Sequence, residues 1–143
     1  MIETLQDKRI FMVEDDPSNA AIIQMLLEQS RAKVFRGRWG GKETLCLLER
    51  HKPIDIILMD LMLPNGITGF DVFKMIHEHS EEMKNIPIIA VSASDPSVVL
   101  QQVRDMGFAG FIAKPVDFVR FNDQILAVLN GTDRWHLNRN MEF

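Results

Sequence analysis

Short, continuous apolar runs alternate along the chain with longer segments in which apolar residues recur every three or four positions. Continuous runs are typical of strands covered on both faces, and the longer spacing is typical of helices with one buried face. Asp16 followed by Pro17 predicts a helix start with Asp16 as its N-cap, and Gly107 predicts a helix end. The predicted strands span residues 9–13, 33–38, 54–59, 86–91 and 111–113, and the predicted helices span residues 17–30, 43–50, 70–78, 96–106 and 117–129.

The alternation of five strands with five helices predicts an α/β fold, in which a doubly wound parallel sheet carries helices on both faces. Right-handed crossovers between parallel strands leave few possible topologies. We expect one domain over residues 1–130, followed by a C-terminal tail over residues 131–143. In open sheets of this kind, binding sites form beyond the carboxyl ends of the strands.

Composition and charge exclude several classes of protein. The 143 residues carry 16 basic and 20 acidic side chains, a formal net charge of -4, which gives no electrostatic support for direct nucleic-acid binding. No apolar run reaches the roughly 20 residues of a membrane helix, and the first ten residues do not resemble a signal peptide. The single cysteine, Cys46, cannot form an internal disulfide. We therefore expect a cytoplasmic protein.

Polar side chains come at the carboxyl ends of four predicted strands. Glu14 and Asp15 follow the first strand, and Asp60 follows the third. Ser92 follows the fourth strand, and Lys114 follows the fifth. If the first and third strands are neighbours, three carboxylates converge, and their repulsion must be relieved by protonation or by a cation. Oxygen ligands without histidine or cysteine favour Mg²⁺, or else Mn²⁺ or Ca²⁺. An aspartate beside such an ion can act as a nucleophile toward phosphorus.

Four motifs in this order resemble those of the response-regulator receiver domains, the CheY-like family. They read "VEDD" at 13–16, "LMDLMLP" at 58–64, "VSAS" at 91–94 and "AKP" at 113–115. The resemblance covers about residues 8–130. It implies a flavodoxin-like fold with strand order 2-1-3-4-5. It also implies a stand-alone signalling switch of a two-component or phosphorelay system, which catalyses nothing beyond its own Mg²⁺-dependent phosphorylation and dephosphorylation.

The resemblance implies a role for each residue of the cluster. Asp60 would accept a phosphoryl group from a phosphohistidine on a sensor kinase or phosphotransfer protein. Asp15 and Asp60 would bind Mg²⁺ directly, and Glu14 would act through water. The backbone carbonyl of Met62 would complete the protein ligands, and Ser92 would hydrogen-bond the incoming phosphoryl group.

The resemblance also implies a conformational switch. Lys114 would pair with Asp60 and later with the phosphate, and its peptide bond to Pro115 would be cis. Phe111 takes the place of the family's switch aromatic, which turns inward as Ser92 moves toward the phosphate. A downstream protein would then bind the face built from the fourth helix, fifth strand and fifth helix, within residues 96–129. We expect a monomer or weak dimer.

Two other functions compete with this interpretation. An aspartate-nucleophile phosphohydrolase needs a second aspartate two residues after the nucleophile, but Met62 occupies that position. A flavodoxin-like FMN carrier needs a phosphate-binding loop after the first strand, where Glu14, Asp15 and Asp16 would repel phosphate.

Two features remain open at the level of sequence. Trp135 and Leu137 are apolar residues in a polar tail, and either docking on the domain or disorder would explain them equally well. The resemblance implies that the position two residues after Asp60 borders the phosphoryl group. Met62 at this position offers no hydrogen bond to an attacking water, which predicts slow self-dephosphorylation, with a lifetime of minutes or longer.

Overall fold

The computed structural model describes residues 1–38 and 40–137. Within these residues, no helix combines the length and the hydropathy needed to cross a membrane. The described strands are β1 Arg9–Val13, β2 Lys33–Gly37, β3 Ile56–Met59, β4 Ile88–Ser92, β5 Gly110–Ala113 and β6 Trp135–His136. The described helices are α1 Pro17–Gln29, α2 Lys42–His51, α3 Gly69–His79, α4 Glu81–Lys84, α5 Pro96–Met106 and α6 Phe121–Leu129.

The strands form one sheet in the order β2-β1-β3-β4-β5-β6, and every pair of neighbours is parallel. The predicted order 2-1-3-4-5 is confirmed, with β6 added beside β5. The register places Val13 opposite Met59, so the residues that follow β1 and β3 lie next to each other. Ser92 is opposite Ala113, which brings the residue after β5 to the same edge.

The core has two apolar clusters, one on each face of the sheet, because successive side chains of a strand point to opposite faces. In β1, Ile10 and Met12 belong to one cluster, and Phe11 and Val13 belong to the other. Strands buried on both sides account for the continuous apolar runs in the sequence.

Local signals fix the ends of two helices as predicted. Asp16 is the N-cap of α1, where its Oδ1 accepts a hydrogen bond from the Ser18 backbone N–H at 2.9 Å, and Pro17 begins the helix. Gly107 ends α5 in the left-handed conformation, with φ of 94°.

Two elements were not predicted. The four-residue helix α4 follows α3 directly, with the Ser80 hydroxyl capping the Met83 N–H at 3.1 Å and the Met83 side chain fully buried. The strand β6 lies in the predicted tail, where Trp135 is half-buried and Leu137 is 41% exposed. Residues 138–143 of that tail lie outside the described residues.

Three element starts differ from the prediction by two residues or more. Strand β3 begins at Ile56 rather than Ile54, although Ile54 is buried. Strand β4 begins at Ile88 rather than Ile86, because the Ile86 N–H closes the α4 turn by donating to the Met83 carbonyl. Helix α6 begins at Phe121 rather than Asp117. The Asp117 carboxylate accepts hydrogen bonds from the N–H groups of residues 119 and 120, which form a turn before the helix.

Candidate functional site

The five polar residues of the predicted site lie at one edge of the sheet. Glu14 and Asp15 directly follow β1, and Asp60 directly follows β3. Ser92 is the last residue of β4, and Lys114 directly follows β5. Since all these strands are parallel, their carboxyl ends share an edge, and the convergence predicted from the sequence is present.

Lys114 joins two carboxylates. Its Nζ donates to Asp60 Oδ2 at 3.1 Å and also donates to Glu14 Oε1. The two acceptors are buried, with exposed fractions of 3% for Glu14 and 8% for Asp60. A buried charge is less costly when it is paired and hydrogen-bonded, so the shared ammonium group offsets part of the cost of burying the two carboxyl groups.

Three carboxylates form a compact group of oxygen donors. One oxygen from each of Glu14, Asp15 and Asp60 lies within 4.8 Å of the others. Only oxygen ligands are present in this group, and carboxylate oxygens are the ligands preferred by hard divalent cations such as Mg²⁺. The donor set therefore fits the metal that the sequence predicted.

The environment shifts the proton affinities of two of these groups. Burial raises the pKa of Glu14 above its ordinary value of 4.5, and the Asp60 charge adds to this rise, while Lys114 opposes it. Burial alone would lower the pKa of Lys114. Its hydrogen bond to Glu14 and the two carboxylate charges outweigh that effect, so the pKa lies above the ordinary value of 10.5. Lys114 is therefore a cation at neutral pH.

The backbone holds Asp60 in a fixed orientation. The Asp60 N–H donates to the Val13 carbonyl at 3.1 Å, and the Met62 N–H donates to Asp60 Oδ1 at 3.1 Å. Gly69, the first residue of α3, packs against the same loop and donates to the Leu61 carbonyl at 3.0 Å. A Cβ atom at Gly69 would lie 2.3 Å from the Asp60 carbonyl oxygen, so the close approach requires glycine.

Ser92 is fully buried, and its hydroxyl is engaged with the next polar residue of the loop. Ser92 Oγ donates to Ser94 Oγ at 3.0 Å and accepts from the Ser94 N–H at 3.1 Å. The Ser92 carbonyl accepts from the Lys114 N–H at 2.9 Å, which ties the ends of β4 and β5 together. Ser92 is thus bonded through its backbone to Lys114, while its hydroxyl bonds to Ser94.

Two further predicted residues border the site. Phe111 is fully buried within β5, so its ring already points inward. Met62 is 65% exposed at the rim and pairs through its backbone with Thr68 in an isolated antiparallel bridge. The Lys114–Pro115 peptide bond is cis.

Sequence reasoning missed two contacts of Glu14. The Arg36 Nε donates to the Glu14 carbonyl at 2.9 Å, and the Asp16 N–H donates to Glu14 Oε2 at 3.3 Å. Arg36 lies in the second predicted strand. The sequence does not show that it contacts Glu14, because the register that sets Arg36 opposite Met12 depends on long-range pairing. The pairing of Glu14 with Lys114, 100 positions apart, is likewise not marked by any local pattern.

Comparison with known protein families and relatives places the site in context. A model of the response regulator receiver domain matches residues 10–126. The polar-differentiation response regulator DivK of Brucella ovis is 35% identical over 122 residues, which cover 85% of this chain and 96% of that protein. DivK of Brucella anthropi is 34% identical with the same coverage.

Solved structures give the same assignment of fold. The chemotaxis protein CheY4 of Vibrio cholerae aligns with a TM-score of 0.75 at 21% identity, covering 85% of this chain and 98% of that one. The receiver domain of the sensor histidine kinase PA1611 of Pseudomonas aeruginosa aligns with a TM-score of 0.72 at 27% identity, covering 87% and 98%. That receiver domain has a magnesium ion coordinated in its active-site cleft.

Proposed function

The chain belongs to the family of response-regulator receiver domains, and from this we propose that Asp60 accepts a phosphoryl group from a phosphohistidine donor. One observation carries the proposal: Asp60 is buried, shares Lys114 with Glu14 and lies in the three-carboxylate group. Receiver domains act in two-component signalling, where they interact with histidine kinases or phosphotransfer proteins and with downstream targets. The family match favours this function over the phosphohydrolase and FMN-carrier alternatives.

In the proposed transfer, a carboxylate oxygen of Asp60 forms a bond to phosphorus while the bond from phosphorus to the donor's histidine nitrogen breaks. The electron pair of that bond stays with the imidazole, which leaves neutral when its other nitrogen carries a proton. Lys114, already 3.1 Å from Asp60 Oδ2, is placed to pair with a phosphoryl oxygen. The chain would catalyse this reaction and the later hydrolysis on itself alone.

Receiver domains bind Mg²⁺ in an acidic pocket of this kind. We propose that Glu14, Asp15 and Asp60 hold the ion together with the Met62 carbonyl, with Glu14 acting through water. When bound, Mg²⁺ would neutralise charge on the phosphoryl oxygens. Mn²⁺ and Ca²⁺ have the same preference for oxygen donors.

The proposed switch uses the hydroxyl of Ser92. Its bonds to Ser94 must yield for the hydroxyl to turn toward the phosphoryl group. Phe111 is already buried, so we expect a smaller movement of this side chain than in relatives whose aromatic residue begins outside. Phosphorylation transmits a signal only if partners bind the two conformers with different affinity.

The proposed partner surface is the α5–β5–α6 face. Val98 on α5 and Val119 just before α6 are exposed apolar residues of these segments. Apolar groups at such positions are suited to a protein partner. Lys114 directly follows β5. A movement of Lys114 would shift β5 and so alter the binding of a partner to this face.

The test is incubation with acetyl phosphate and Mg²⁺ followed by intact mass measurement. We expect one added phosphoryl group in the wild type and none in Asp60→Asn. Asp105→Asn is the matched control, because Asp105 is an exposed residue of α5 whose side chain accepts from Gln101. An unchanged mass in the wild type, or retained modification in Asp60→Asn, would remove Asp60 from its proposed role.

A further inference from the structure

The edge of β5 already has an occupant from the same chain. Residues 131–137, here called the tail segment, return from α6 and place β6 parallel to β5. The register sets Trp135 opposite Phe111 and His136 opposite Ile112. The tail segment therefore covers the middle strand of the proposed α5–β5–α6 partner surface.

Arg134 anchors the tail segment to the start of β5. Its Nε donates to the Ala109 carbonyl at 2.7 Å, and its Nη2 donates to the Phe108 carbonyl at 3.1 Å. The Phe111 N–H donates to the Arg134 carbonyl at 2.8 Å. A Cβ atom at Gly110 would lie 2.5 Å from that carbonyl oxygen, so the approach of the two backbones is close.

Trp135 supplies the apolar contact. Its half-buried ring packs against the core cluster that contains Phe111. The Arg104 and Arg134 guanidinium carbons lie 4.8 Å and 5.0 Å from its ring centroid. Both distances fall within the range of cation–π attraction. Arg104 belongs to α5, so the ring bridges two elements of the partner surface.

The tail segment joins the sheet through a short ladder. Among residues 1–38 and 40–137, the β5–β6 ladder has two residue pairs, whereas the β4–β5 ladder has four. Leu137 is 41% exposed directly after β6. Segments with few buried contacts and short ladders open at a lower free energy than core strands.

We propose that the tail segment is a displaceable occupant of the β5 edge, released when Asp60 is phosphorylated. The proposal rests on the function proposed above. Strand β5 has four residues and ends next to Lys114, which must follow the new phosphoryl charge. A shift at this end of β5 disturbs the shorter ladder with β6 before the longer ladder with β4. Release would offer the β5 backbone to an extended segment of a partner protein.

A coupling of this kind is reciprocal. If phosphorylation favours the released state, then variants that release the tail segment should in turn favour the phosphorylated state. Trp135→Ala removes the ring between the arginines, and Arg134→Ala removes the bonds to residues 108 and 109. Leu137→Ala is the matched control, because this side chain is exposed in the same segment.

The first experiment follows release directly in the full chain carrying Trp39→Phe, which leaves Trp135 as its one tryptophan. The protein is treated with acetyl phosphate and Mg²⁺, and intact mass reports its phosphorylated fraction. We expect the Phe111 amide to exchange with deuterium about tenfold faster in the phosphorylated protein and acrylamide quenching of Trp135 to increase. The Asp55 amide, which bonds to the Arg9 carbonyl at the amino end of β1 and lies just before β3, is the internal control.

The outcomes separate the two proposals. A full mass increase with unchanged Phe111 exchange and unchanged quenching overturns the release of the tail segment and leaves the acceptor intact. Absence of the added mass overturns the proposed acceptor and the release that depends on it.

The second experiment measures the phosphorylated fraction at a fixed acetyl phosphate concentration. We expect Trp135→Ala and Arg134→Ala to exceed the wild type, and Leu137→Ala to match it. Circular dichroism melting verifies that each variant is folded. Equal fractions in all four folded proteins would overturn the coupling.

Discussion

Glu14 is a residue at which stability and the proposed function make opposite demands. Burial favours the protonated carboxyl, whereas the proposed Mg²⁺ site needs the ionised carboxylate. Glu14 is 3% exposed, and its pKa is raised by burial and by the Asp60 charge despite the opposing effect of Lys114. A raised pKa means that the folded state binds the proton more tightly than the unfolded state. The contribution of Glu14 to stability is therefore fully present below its ordinary value of 4.5 and is lost as pH rises through the raised value.

Glu14→Gln is expected to stabilise the metal-free protein at pH 7, because the raised pKa of Glu14 means that its ionised carboxylate destabilises the folded state at this pH. The gain should shrink as pH falls toward 4, where the wild-type carboxyl is protonated. Urea unfolding in EDTA at the two pH values measures it. Glu28→Gln, an exposed change on α1, should show no such pH dependence. A Glu14→Gln protein less stable than wild type at pH 7 would contradict the prediction.

Met62 is expected to set the lifetime of the phosphorylated state. Its side chain is 65% exposed at the rim of the site and offers no hydrogen bond to an attacking water. We expect a wild-type lifetime of minutes or longer. Met62→Gln should shorten it about fivefold to tenfold, the effect of one hydrogen bond of about 1 kcal/mol in the transition state. Loss of the added mass over time, after removal of acetyl phosphate, measures the lifetime.

The matched change for this test is Met25→Gln, on an exposed face of α1. It should leave the lifetime unchanged. A wild-type lifetime of a few seconds would show that Met62 does not slow hydrolysis.

At the scale of elements, the start of α3 sets the position of Asp60, the proposed phosphoryl acceptor. Thr68 caps the helix in a reciprocal arrangement. Its Oγ1 accepts from the Asp71 N–H at 3.2 Å, while the Thr68 N–H donates to Asp71 Oδ2 at 2.9 Å. The cap brings Gly69 against the backbone of Asp60. The helix start and the acceptor loop therefore hold each other in place.

Gly69→Ala is expected to lower the free energy of unfolding by about 1–3 kcal/mol, the usual range for overpacking, and to slow phosphorylation by acetyl phosphate. The new methyl group would displace the Asp60 carbonyl from its present position. Gly66→Ala is the comparison. It also alters a glycine of this loop, with φ of 74°, but its Cβ would meet nothing within 4 Å.

Urea unfolding and the rate of mass increase provide the two measurements. Gly66→Ala should lose about 1 kcal/mol through its backbone conformation and keep the phosphorylation rate. Equal phosphorylation rates in both variants would show that the contact with Asp60 is not needed.

The elements that sequence reasoning found are those whose signals are local. Asp16 with Pro17 marks the start of α1, and Gly107 marks the end of α5. Helix α4 is one turn long, and its stability comes from the buried Met83, which no periodicity reveals in four residues. Strand β6 has two residues and forms because Trp135 meets Phe111 from a distant part of the chain.

At the scale of the whole molecule, parallel pairing explains why the site could be predicted. Residues that end separate strands share an edge in any parallel sheet, so the convergence of Glu14, Asp60 and Lys114 follows from the strand pattern of the sequence. The direct hydrogen bond between Glu14 and Lys114 could not be predicted, because it depends on how far each side chain reaches across that edge. The same limit applies to Arg36, which contacts Glu14 through the β1–β2 register.

Mg²⁺ is expected to stabilise the whole fold, because it binds the native arrangement of carboxylates. The gain should approach about 2.7 kcal/mol at a concentration one hundred times the dissociation constant. It should decline as pH falls through the raised pKa of Glu14, since protonated carboxyls do not bind the ion. Thermal unfolding with Mg²⁺ or EDTA across this pH range measures it.

Asp15→Asn should remove most of this stabilisation, whereas Asp16→Asn should retain it, because Asp16 serves as the N-cap of α1. Asparagine is also a good cap, so the second variant should remain folded. Equal Mg²⁺ responses in the two variants would exclude Asp15 as a ligand.

The ammonium group that Glu14 and Asp60 share has one more consequence. It compensates part of the negative charge of the three-carboxylate group and leaves an excess that matches an ion of valence two. Potassium, abundant in most cells, would leave the excess only half neutralised and would gain little from these oxygens. The placement of Lys114 sets the remaining negative charge of the site. The site is thus expected to select cations first by their charge and only then by their radius.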